Sequence, residues 1–194
     1  MSPDRLNAVL ARIDQLNSED PNRELVEGVP RPREVVYAER LTAWVRRLNP
    51  EASEALRIAA RGQHVRRWTI PRDRYEPGRR GYLRWRETLK AIHADTVAGL
   101  MREAGFAEEE IARVRLLMSK RRLGADPDTQ TLEDALCLVF LETQFADLRA
   151  KTPDGTMREI LRKTWQKMSA PARAAALALP LSAEDKTFLV EAVR

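Results

Sequence analysis

The sequence predicts an all-α, single-domain helical bundle, and three observations carry that prediction. Apolar residues recur at three- and four-residue spacing through most of the chain, which is the signature of amphipathic helices. No segment alternates convincingly at period two, as a half-buried strand would. The helical stretches are punctuated by Pro, Gly and Asn clusters at helix-length intervals. With 194 residues the chain is long enough for one full core and short for two, so residues 1–194 are expected to form one unit.

The elements follow in order. Leu6, Leu10, Ile13 and Leu16 share a helical stripe over residues 4–17, and Asn17-Ser18-Glu19-Asp20-Pro21-Asn22 ends it with turn formers. Pro30 and Pro32 mark an exposed connection; Val35, Val36, Leu41, Val45 and Leu48 then carry a second helix to Asn49-Pro50. Ser53-Glu54 starts a third, expected to run to about Trp68. Pro71, Pro77, Gly78 and Gly81 keep residues 69–81 from being helical throughout. A fourth helix is expected over 82–104, closed by Gly105, and a fifth over 108–122, ending at Gly124. Residues 128–131 cap a sixth, whose run Ala135-Leu136-Cys137-Leu138-Val139-Phe140-Leu141 is apolar on every face; such a helix belongs at the centre, with Leu138 and Phe140 fully buried. Helices over 156–168 and 170–178, and a short one after Ser182, are expected to pack on that core.

Composition narrows the function classes. The apolar run 135–141 is far below the ~20 residues that span a bilayer, and Met1-Ser2-Pro3-Asp4-Arg5 lacks the apolar stretch of a secretory signal. Cys137 is the lone cysteine, so no intrachain disulfide asks for an oxidising compartment, and the cytoplasm is the expected location. The net charge is +5, and its placement matters more than its size. Residues 61–90 hold ten Lys/Arg against three acids, whereas the remainder is slightly acidic. A positive excess confined to one stretch implies an anionic partner.

That stretch interleaves Arg66, Arg67, Arg72, Arg74, Arg79, Arg80, Arg84, Arg86 and Lys90 with Trp68, Tyr75, Tyr82 and Trp85. Arginine suits bidentate phosphate contacts, and aromatic rings offer faces on which a base stacks. The alternative for the same residues is a solvated charged surface over ordinary core aromatics. Lys120-Arg121-Arg122 adds a smaller basic cluster. The two histidines, His64 and His93, fall on apolar helical stripes, where hydrogen-bonded core histidines also fall. Asp134 shares a stripe with Leu138, Leu141 and Phe145; it is either a helix-dipole acid, an arginine partner or a functional carboxylate. His64, His93 and Asp134, from three helices, form a candidate set for a divalent metal with an open position for water.

Several runs resemble a bacterial and fungal family defined only as domain of unknown function 4202. They are Asn17 to Asn22, Gln63-His64-Val65-Arg66-Arg67-Trp68 with Ile70-Pro71-Arg72, Gly81 to Arg86, Leu132-Glu133-Asp134-Ala135 with Val139 to Glu142, and Lys163 to Ser169. A more distant resemblance is to the all-helical HD superfamily of metal-dependent phosphohydrolases. There His64 looks like the early histidine and Asp134 like the late aspartate; neither histidine here precedes an Asp, so His93 stands either in part for the adjacent His-Asp pair or for an accessory histidine. The expectation is an HD-like protein that takes a phosphorylated, nucleotide-like ligand, with hydrolysis through a divalent metal as the catalytic version. Arg67, Trp68, Arg72, Arg79, Trp85, Arg86, Lys90 and Lys120 are expected to bind the ligand, and His64, His93 and Asp134 to hold metal or act directly. The alternatives are an RNA- or other nucleic-acid-binding module and a scaffold for an acidic protein partner. No membrane is expected as a partner.

Overall fold

The computed structural model describes residues 3–120 and 123–194. It contains α1 (Pro3–Ser18), β1 (Arg23–Val26), β2 (Val29–Pro32), α2 (Arg33–Leu48), α3 (Glu54–Arg61), α4 (Gly78–Glu103), α5 (Glu108–Ser119), α6 (Pro127–Thr143), α7 (Phe145–Arg149), α8 (Asp154–Lys167), α9 (Ala170–Leu177) and α10 (Ala183–Val193). The architecture is all-α, as the periodicity predicts. Arg121 and Arg122 lie outside the described residues.

α6 is the centre. Asp126 caps it, accepting from the Thr129 backbone N–H at 2.9 Å, and Pro127 occupies its first turn. α2, α3, α5, α8 and α9 all pack against it, which is why it is apolar on nearly every face. Leu132, Ala135, Leu138 and Val139 have no exposed surface. Phe140, expected to be fully buried, is only partly so, because its side of α6 faces a cavity. The C-terminal helices close the bundle: α8 and α9 lie on α6, and α10 lies on α8.

Three departures from the sequence reading have local causes. Residues 23–32 form a small antiparallel hairpin, with Val26 opposite Val29 across Glu27 and Gly28, both at positive φ (51° and 81°). Two four-residue strands, one holding two prolines, are too short to show an alternation. The third helix stops at Arg61 instead of Trp68. Gly62 crosses α4 so closely that a Cβ there would sit 2.4 Å from Val97 Cγ2, and Arg66 takes a left-handed conformation (φ 54°). Its N–H is held by Asn17 Oδ1 at 3.2 Å. Residues 63–66 therefore form a turn that carries His64 and Val65, not a continuation of the helix. Finally, residues 67–69 and 72–74 make single turns of 3-10 helix before α4 starts at Gly78. That loop folds back on α4 so tightly that a Cβ on Gly81 would stand 1.9 Å from Glu76 O.

Candidate functional site

The turn at 63–67 and the near half of α4 face each other across a cavity of about 310 Å³. α4 contributes Tyr82, Trp85, Arg86, Leu89, Lys90 and His93, which recur at three- and four-residue steps and so occupy one face. The turn contributes Gln63, His64 and Arg67; α2 gives Tyr37; α6 gives Glu133, Leu136, Cys137 and Phe140; α8 gives Thr164 and Lys167. Lys120, just after α5, completes the wall.

The electrostatics are one-sided. Arg67, Arg86, Lys90, Lys120 and Lys167 line the cavity against one carboxylate, Glu133. Glu133 bridges two of them, with Oε2 3.1 Å from Lys120 Nζ and Oε1 3.3 Å from Lys167 Nζ. Burial alone would raise its pKa, but the two lysines outweigh burial and hold it below the usual carboxylate value. Lys90 is also paired, with Glu87 at 2.6 Å. Arg67 lies over the Trp85 ring (4.6 Å to the centroid), and the Trp85 indole N–H donates to Ile70 O at 2.9 Å, which anchors the Trp85 ring as a shelf under the guanidinium. Tyr82, 42% exposed, tilts against Trp85 at 6.0 Å with its ring open to solvent.

The histidines adjoin, with ring centroids 6.0 Å apart. His93 Nδ1 is 2.8 Å from Val65 O. A carbonyl can only accept, so that nitrogen carries the proton and Nε2 is left as an enclosed acceptor that finds no partner among the described residues. Burial, then the charge of His64, lowers the His93 pKa to about 4. His64 stacks on Tyr37 at 3.9 Å and 12°, and its Nδ1 lies 3.3 Å from Glu34 Oε2. Burial, with Arg67, Lys120, Arg33 and Arg86 around it, lowers its pKa well below the ordinary value. Glu34 is buried, and burial raises its carboxyl to about 7 despite Arg67 Nε at 3.8 Å. The Cys137 thiol is pushed up to about 12 by burial and Glu133, which leaves it inert as a nucleophile at neutral pH.

Of the residues expected in the site, His64, Arg67, Trp85, Arg86, Lys90, His93 and Lys120 come together. Four do not. Asp134 turns away from the cavity: its Oδ1 accepts from Gln130 Nε2 at 2.9 Å and from the Ser169 N–H at 2.8 Å, tying α6 to the start of α9. Adjacent residues on a helix point ~100° apart, so the neighbour Glu133 enters the cavity while Asp134 cannot. Arg72 is spent on its own loop, donating to the carbonyls of Tyr75 (2.9 Å), Glu76 (3.0 Å) and Gly78 (3.2 Å). Arg79 is exposed on the first turn of α4, and Trp68 is half-buried in the 3-10 turn; neither lines the cavity.

The residues do not fit the expected metal set. Among the described residues no three His, Cys, Asp or Glu side chains stand together as metal ligands. Glu133 is neutralised by two lysines, and the cations that line the cavity would repel a divalent ion.

Sequence reasoning missed Glu34, Tyr37, Gln63, Glu133 as the inward acid, Gln144 and Lys167. A signal existed for one of them. Glu34 falls at the start of a helix whose apolar stripe includes Val36, Leu41 and Val45, so a buried carboxyl could have been suspected. Lys167 enters the cavity from the last turn of α8, three residues after Thr164, on a helix face that carries no apolar stripe to mark it as inward.

A family model described as a domain of unknown function (DUF4202) matches residues 7–189, and the chain belongs to that family. No curated protein and no solved structure matches it. Among the described residues no helix is long and apolar enough to cross a membrane.

Proposed function

We propose that this member of the domain-of-unknown-function 4202 family binds a phosphorylated, nucleotide-like small molecule in the cavity between the 63–67 turn and α4. The observation that carries the reading is the convergence of Arg67, Arg86, Lys90, Lys120 and Lys167 on one concave volume that holds a single acid. Arginine and lysine at a concave, partly enclosed site attract and orient phosphate more strongly than the same charges on an open surface. The volume, about 310 Å³, lies at the small end of the ~300–1,000 Å³ range of ligand pockets. Tyr82 supplies an open ring at the rim for a base or another planar group.

Nucleic-acid binding is the second reading, favoured by Arg80 and Arg84, whose side chains are 85% and 67% exposed on the outer face of α4. Calorimetric titration with adenosine and guanosine mono-, di- and triphosphates, pyrophosphate and a single-stranded oligoribonucleotide separates the two. The cavity reading expects a nucleotide or pyrophosphate to bind, and Arg67→Ala or Lys120→Ala to weaken it by about 1.5–3 kcal/mol. Arg79→Ala should leave that affinity unchanged. Binding of the oligonucleotide alone, with a steep salt dependence flattened by Arg80→Ala and not by Lys120→Ala, would replace the cavity with the outer face.

A further inference from the structure

We propose that Glu34 and His64 form an acid–base dyad that hydrolyses a phosphoester held in the cation-lined cavity, with no metal ion supplied by the protein; this rests on the phosphate-binding reading above. His64 stands in the wall between that cavity and a second one of about 400 Å³, whose lining includes Glu34, Arg33 and Arg40. Tyr37, Arg67 and Gln144 are likewise shared by the two cavities. The imidazole is thus held where a ligand and a water would meet.

Its geometry is that of an oriented base. The Tyr37 ring stacks on the imidazole, and Nδ1 lies 3.3 Å from Glu34 Oε2, a buried oxygen that has no hydrogen-bond partner among the described residues; the two atoms are within reach of each other, and a turn of the carboxyl aligns them as a hydrogen bond. Among the described residues Nε2 has no protein partner, and it is not an enclosed atom; the side chain is 22% exposed. His93 is the poorer candidate, since its Nε2 is enclosed. Both members of the dyad are positioned by the end of α1. Asp20 Oδ2 accepts the Glu34 N–H at 3.1 Å, and Asn17 Oδ1 accepts the N–H of Arg66, two residues after His64.

The step balances without a cofactor. Water oxygen forms the new bond to phosphorus, and its proton moves to His64 Nε2. The bond from phosphorus to the leaving oxygen breaks, its electron pair stays on that oxygen, and the imidazolium returns the proton to it. Glu34 stabilises the imidazolium, while the lysines and arginines stabilise the charge on the transferring group. The carboxyl titrates near 7, so it switches the base. Ionised, Glu34 accepts the Nδ1–H and leaves a lone pair on Nε2; neutral, it donates to Nδ1 and places the proton on Nε2. The groups facing Glu34 are Asp20, Arg33, Arg67, Tyr37, His64 and His93; those facing His64 are Tyr37, Arg67, Lys120, Arg33, Arg86 and His93. The charged ones are predominantly cations, which favour ionised Glu34 and neutral His64.

The test is phosphate release from the nucleotide panel in the presence of a chelator, alongside nitrogen NMR of the histidine rings. The wild type should release phosphate at a rate that rises with pH through about 7. Over the same range the His64 proton should move from Nε2 to Nδ1. Glu34→Gln should remove both transitions and lower kcat by about 100-fold or more with little change in KM, and His64→Ala should abolish turnover while nucleotide binding persists. A nucleotide that binds the wild type yet is never hydrolysed overturns the dyad and leaves the binding reading intact, as does turnover unchanged in Glu34→Gln. Absence of any nucleotide or pyrophosphate binding overturns both.

Discussion

The basic stretch 61–90 divides into two regions that the same composition describes and the fold treats oppositely. Its two ends, around Gln63 to Arg67 and Trp85 to Lys90, face each other across the cavity and place cations against buried titratable groups. Its middle, residues 72–84, forms a surface loop and the first turns of α4, where Arg79, Arg80 and Arg84 stand in solvent and Arg72 ties the loop to itself. Charge density along a sequence therefore locates a face only to within a helix turn or two. Enclosure decides which of its charges can recognise a ligand, because the same guanidinium interacts far more strongly where water is excluded.

The largest effect that would sharpen this contrast is a pH dependence of stability seated in the enclosed region. Burial moves Glu34 from an ordinary 4.5 to about 7, so between those values the folded protein holds a proton that the unfolded chain has released. Its contribution to stability is fully present below pH 4.5 and is lost as pH rises through 7, on the order of 3 kcal/mol. His93, lowered from 6.5 to about 4, acts in the opposite sense: its contribution is present above 6.5 and lost as pH falls toward 4. The two oppose each other over most of their range in the wild type. Denaturant unfolding of Glu34→Gln beside the wild type isolates the carboxyl, and the stability difference in favour of the variant should grow from pH 4.5 to 7 and then level off. A difference independent of pH would mean that Glu34 is solvated, and the enclosed region would lose its distinction from the loop.

A smaller effect, about 1–3 kcal/mol of stability, is expected for Asp134→Ala, which leaves the Ser169 N–H without its acceptor where α6 meets α9. Pyrophosphate affinity should fall less than in Lys120→Ala. The reverse ranking would return Asp134 to the site and extend the enclosed region beyond Glu133.

How far the sequence carried the reading follows from these residues. Helix periodicity located α1, α2, α4, α6, α8 and α9 to within a few residues, because each buries a stripe that repeats with the helix. It failed where a tertiary contact overrides the local pattern: at Gly62, pressed against Val97, and at Arg66, pinned by Asn17. The histidines were identified as candidates and do adjoin, yet the acid beside His64 is Glu34 from α2, thirty positions away, and not Asp134. On α6 the sequence put Glu133 and Asp134 side by side, and only the packing of α9 against α6 shows which of the two looks into the cavity. Pairing between elements is not written in periodicity; it depends on which faces meet.

The smallest expected effects lie in the loop, and they are the most direct way to break the comparison. Arg72 donates to three backbone carbonyls, but these belong to a solvent-facing segment where water can replace the guanidinium. Arg72→Ala should therefore cost about 1 kcal/mol, the net value of an ordinary hydrogen bond, and not the sum of three. Because the loop lies over Gly81, one turn before Trp85, loosening it should raise amide exchange across 72–78 while leaving the shelf in place, anchored as that is by Trp85 to Ile70 O. Arg79→Ala should change neither stability nor pyrophosphate affinity by more than about 0.5 kcal/mol, as befits an exposed side chain. Equal losses of affinity from Arg72→Ala, Arg79→Ala and Arg67→Ala would show that the ligand spreads over the whole stretch. In that case composition alone, and not enclosure, would describe how this protein meets its anion.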